Sequence, residues 1–63
     1  MIEQIIKQFK EYVYNKGMTQ EEAARKLDIT QEHLSRVFNN KRTPSMTLLR
    51  KMENLMEADN NGR

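Results

Sequence analysis

The sequence contains no cysteine. Disulfides and thiolate metal sites are therefore excluded, and the absence fits a reducing cytoplasm. A single histidine, His33, rules out a multi-histidine metal site within one chain and argues against a Ser-His-Asp arrangement. No hydrophobic run approaches the roughly 20 residues needed to span a bilayer. The N-terminal MIEQIIKQFK alternates apolar and charged residues and lacks the continuous apolar stretch of a secretory signal. Strand-like alternation, internal repeats and low-complexity segments are also missing. No acid, base and nucleophile converge in the pattern, so neither an enzyme nor a bound cofactor or metal is expected. With 63 residues the chain makes one small domain. A domain of that size buries only about 60% of its unfolded surface, which leaves a narrow stability margin.

What is present is charge with an uneven layout. The formal net charge of +2 decides little by itself. From His33 to Met52, however, there is no Asp or Glu, while Arg36, Lys41, Arg42, Arg50 and Lys51 all fall there. A local cationic excess of this kind suits an anionic partner; the plainer alternative is a solvated basic face.

Four helical segments can be read from periodicity and caps. Ile2, Ile5, Ile6, Phe9 and Val13, with Tyr12 beside them, recur at helical spacing, and Glu3, Lys7, Lys10 and Glu11 take the opposite face. This stripe is expected to pack a core rather than bind a membrane or partner. Gly17 is free to take the left-handed conformation that ends a helix. Thr19 and Glu22 make a capping box, preceded by Met18 as a hydrophobic staple. The helix Gln20 to Leu27 then turns Ala23, Ala24 and Leu27 inward, and Ile29 plugs the corner after it. Thr30 caps the next helix, Gln31 to Asn39, with Leu34 and Val37 buried. Asn39 and Asn40 tolerate left-handed backbone and stop it. Lys41, Arg42, Thr43 and Pro44 form a basic loop, and Ser45 caps a last helix from Met46 to about Glu57. Its wide apolar face comprises Met46, Leu48, Leu49, Met52, Leu55 and Met56. Residues 58–63 read as a disordered polar tail beyond a domain of residues 1–57. The expected fold class is all-α, a compact four-helix domain.

Two short helices joined by a tight turn at a steep angle form a helix-turn-helix unit, whose second helix fits the major groove of DNA. Base reading falls to the N-terminal end of that helix and one turn along: Thr30, Gln31, Glu32, Ser35 and Arg36. Gln pairs bidentately with adenine, Arg with guanine, and a carboxylate accepts from cytosine N4. Glu32 keeps two readings: it excludes wrong sequences near phosphates, or it is a favourable first-turn charge on the helix dipole. The helix start at Thr19 and Gln20 can hold a phosphate, and Asn39, Lys41, Arg42 and Thr43 can grip the backbone. His33 is expected to face solvent or lie near a phosphate.

The stretch resembles the phage repressor and Cro helix-turn-helix family, also known as xenobiotic-response-element regulators. Thr19-Gln20 opens the second helix, Ala24 lies in its middle, and Lys41-Arg42-Thr43-Pro44-Ser45 follows the third. The resemblance covers Met18 to Met56, with Ile2 to Lys16 in the place of the first helix. It implies a lambda-repressor-like DNA-binding fold with the fifth helix absent. By it, Gln20 contacts a phosphate and can brace Gln31. It also implies a bacterial or phage cytoplasmic, nucleoid-associated transcription regulator, a repressor by expectation. Its partner would be double-stranded DNA, bound as a homodimer on a palindromic operator. Asp28 and Asn40 depart from the family by standing where Gly is common, and both can adopt positive φ. Phe38 stands where Glu is frequent, either exposed for a subunit contact or tilted into the core. Phe38, Met52, Leu55 and Met56 are the candidate dimer or partner seam. A rival function is a protein-binding antirepressor that uses Phe38 and the methionine-rich last helix; those methionines can equally be core filling.

Overall fold

The computed structural model describes residues 2–61 and contains four helices: α1 Ile2–Asn15, α2 Gln20–Leu27, α3 Gln31–Phe38 and α4 Met46–Asn61. Among the described residues there is no strand. α1 packs chiefly on α4 and α2 on α3, while α1 also touches α3 and α4 touches α2.

Each junction is built by the same local chemistry. At the N-termini a hydroxyl satisfies a backbone donor that the helix cannot. The Glu22 N–H donates to Thr19 Oγ1 at 3.0 Å, His33 N–H to Thr30 Oγ1 at 3.1 Å, and Leu48 N–H to Ser45 Oγ at 3.1 Å. Glu22 returns a bond to the Thr19 N–H at 3.4 Å, completing the capping box. At the C-termini α1, α2 and α3 all close with a left-handed residue: Gly17 at φ 68°, Asp28 at φ 63° and Asn40 at φ 61°. In each case the next residue's N–H reaches back to a carbonyl of the last helical turn. Met18 bonds Val13, Ile29 bonds Ala24 and Lys41 bonds Arg36, at 3.0, 3.0 and 2.8 Å. These are Schellman closures, and the first two bring an apolar side chain back onto the helix they end.

The core takes three buried residues from every helix: Ile6, Phe9 and Val13; Ala23, Ala24 and Leu27; Leu34, Val37 and Phe38; Leu48, Leu49 and Met52. No helix is therefore dispensable. Ala23 and Ala24 are almost fully buried, so α2 approaches its neighbours closely at that point. No polar or charged side chain is buried among the described residues.

Several boundaries and burials differ from the sequence reading. α3 ends at Phe38, with Asn39 as its cap. α4 continues to Asn61, past the expected end near Glu57, so the first four residues of the supposed tail are helical. An ion pair between Lys16 and Asp59 ties this last turn to the end of α1. Gly62 and Arg63 lie outside the described residues. Ile2 and Met46 are exposed rather than core. Met46 sits about a third of a turn from the centre of the Leu48, Leu49 and Met52 stripe, at about 100° per residue.

Two members of the proposed seam require correction. Phe38 is only 7% exposed and Met52 is fully buried. Phe38 lies with its ring centre 6.3 Å from that of Phe9, and the Lys10 ammonium stands 5.7 Å above its ring. Neither residue is available to a partner. The antirepressor reading therefore cannot use Phe38 or Met52; of the last helix's apolar residues, Met46 is exposed and Leu55 and Met56 are half-buried.

Candidate nucleic-acid interface

With Leu34, Val37 and Phe38 turned inward, α3 offers Gln31, Glu32 and Arg36 outward, all exposed. The inward three anchor the helix as a rigid rod on the core, which fixes the outward three in space. Ser35, also expected to read bases, is half-buried and accepts a long 3.5 Å contact from Asn39 Nδ2. Its reach beyond the helix is correspondingly less than that of its neighbours.

The two threonines have structural duties first. Thr19 and Thr30 each use the side-chain oxygen as a cap acceptor, which leaves the methyl group and the hydroxyl hydrogen for outside contacts. Gln20 is exposed at the start of α2, and no hydrogen bond joins it to Gln31 among the described residues. Gln31, Lys41 and Arg42 have exposed side chains that no hydrogen bond or ion pair engages among the described residues. Thr43 is exposed too, while Pro44 is buried and pins the end of the α3–α4 loop.

Arg36 is not free. Its Nη2 lies 2.9 Å from Glu32 Oε2, one helical turn earlier. These two share a polar concavity of about 180 Å³ with Thr30, His33 and Arg42. The structure thus gathers three expected base-reading residues and one expected phosphate-binding residue around one hollow. It adds His33, which is half-buried there rather than solvent-facing. The signal for His33 was its spacing, three residues after Thr30 and three before Arg36, which sets all three along one side of α3.

Two lysines whose capping role the sequence does not show hold the unit from behind. Lys10 Nζ donates to the Phe38 carbonyl at 3.3 Å, and Lys51 Nζ donates to the Leu27 carbonyl at 3.4 Å. Each satisfies an orphan acceptor at the C-terminal end of α3 or α2 and complements that end's negative partial charge. Lys51 belongs to the basic run between His33 and Met52, but its ammonium points to α2.

No group of three or more candidate metal ligands occurs among the described residues, and no described helix is long and apolar enough to cross a membrane. A family model described as helix-turn-helix matches residues 6–58. No curated protein and no solved structure matches the chain.

Proposed function

The chain belongs to the helix-turn-helix family of the phage repressor and Cro type, DNA-binding regulators rather than enzymes, and from that premise we propose that it is a sequence-specific transcriptional repressor that lays α3 in the major groove. The observation that carries this reading is the outward edge of α3. Among the described residues nothing engages the Gln31 side chain, which stands beside Glu32 and Arg36 on a helix whose opposite face is sealed into the core. Glutamine and arginine match the acceptor and donor patterns of adenine and guanine in that groove. In this reading Gln20, Asn39, Lys41, Arg42 and Thr43, all exposed, contact the flanking phosphate backbones and fix the register.

One such domain reads only a few base pairs. Useful selectivity calls for two copies on a palindrome, with half-sites about one helical turn apart. Leu55 and Met56 are the members of the candidate seam that keep exposed surface for that pairing. Repression would follow from occupying an operator on bacterial or phage DNA in the bacterial cytoplasm.

Selection of bound duplexes from a random pool at several salt concentrations tests the proposal. The expected result is a short palindromic consensus whose affinity falls steeply with salt. Recovery of unselected sequence at every salt concentration would contradict it.

A further inference from the structure

The exposed edge of α3 carries one anion. Glu32 is 76% exposed and Arg36 57% exposed, yet their charged atoms meet at 2.9 Å. The comparable pair on α2, Arg25 with Glu21, spans 3.7 Å. Beside the Glu32–Arg36 pair the hollow is lined by Thr30, His33 and Arg42. Without the carboxylate, a cluster of two arginines and a histidine would attract any phosphate, whatever base lay nearby. With it, part of the Arg36 fork is occupied and an approaching phosphate meets a like charge.

We propose that Glu32 is a specificity-determining residue, turning a general anion-binding cluster into one that reads bases. The inference rests on the DNA-reading role given to α3 above. The Glu32 carboxylate opposes phosphate at Arg36, the arginine it pairs with, and leaves Arg42 to the DNA backbone. Its opposition is offset where a duplex supplies an amino donor, as cytosine N4 does, close to a guanine that takes the Arg36 fork through O6 and N7. Side chains four apart on a helix have Cβ atoms about 6 Å apart, within reach of neighbouring base pairs. The competing role, a first-turn charge on the helix dipole, changes stability without changing the choice of sequence.

The test compares Glu32→Gln with Glu53→Gln. Glu53 is an exposed carboxylate in a groove shared with Gln8, Asn54, Met56 and Glu57, residues of α1 and α4 only. Both variants and the wild type are titrated against the selected duplex and a scrambled one over a range of salt, and each is melted. For Glu32→Gln the scrambled duplex should bind more tightly with a steeper salt dependence. The ratio of selected to scrambled affinity should fall about tenfold, the size of one lost base contact. Glu53→Gln should leave that ratio unchanged. An unchanged ratio in Glu32→Gln, with only the melting temperature moved, overturns the inference alone. A wild type with no preference for any duplex removes the proposed function and this inference with it.

Discussion

The Lys51 ammonium on α4 donates to the carbonyl oxygen of Leu27, the last residue of α2, at 3.4 Å. Lys10 does the same from α1 to Phe38, the last residue of α3, at 3.3 Å. The flanking helices therefore supply apolar packing and also cap the two helices of the reading unit. Replacing Lys51 by Met keeps the aliphatic stem and removes the donor. The expected cost is about 0.5–1 kcal/mol, since the ammonium is close to solvent. Urea denaturation checks it, and Lys51→Arg should recover part of the loss.

Asp28 sits at φ 63° and Asn40 at φ 61°, where a side chain is strained and glycine is not. Asp28 also places a negative charge at the C-terminal end of α2. Asp28→Gly should stabilise the domain by about 0.5–1 kcal/mol, after allowing for the greater freedom of glycine in the unfolded chain. That corresponds to a rise in melting temperature of a few degrees for a domain of this size. Asp28→Ala should lower it.

Burial of Phe38 makes a sharp prediction about the former seam. Phe38→Ala removes a ring packed on Phe9 and should cost about 3–5 kcal/mol. A 63-residue chain has roughly 3–9 kcal/mol in total, so the variant should lose a third or more of its stability, read by circular dichroism as a large fall in urea midpoint and melting temperature. A surface contact residue would give a helical protein with little change.

Arg42 has no partner in the fold among the described residues and borders the α3 hollow. Arg42→Ala should weaken binding to selected and scrambled duplexes alike. The slope of log affinity against log salt should fall by about 0.9, the value for one phosphate contact on B-DNA.

Much of this architecture was legible because its punctuation is local. Thr19 with Glu22, Thr30 and Ser45 mark helix starts in sequence, and Gly17, Asp28 and Asn40 are residue types that tolerate the left-handed backbone that ends a helix. The bounds of α2 follow directly. The end of α4 was not legible in the same way. No glycine or proline follows Pro44 until Gly62, and the tie between Lys16 and Asp59 is a tertiary contact. The placement of Phe38 turned on a family comparison, in which glutamate is frequent, against periodicity. Its spacing four residues after Leu34 put it on the buried stripe, and periodicity prevailed. The lysine caps were beyond reach of the sequence, because they depend on which helix crosses behind which. The Glu32–Arg36 pair was within reach, since the two lie four apart on one helix.

The central claim is that the outward edge of α3 chooses the sequence, and Gln31 tests it most directly because no other side chain engages it among the described residues. Fluorescence-anisotropy titration of wild type and Gln31→Ala, on the selected duplex and on one scrambled at the half-site, isolates that role. The account predicts a loss of about 5- to 150-fold on the selected duplex and little change on the scrambled one, as for one bidentate base contact. Equal affinities of wild type and variant for the selected duplex, with helicity and melting temperature intact, would contradict it.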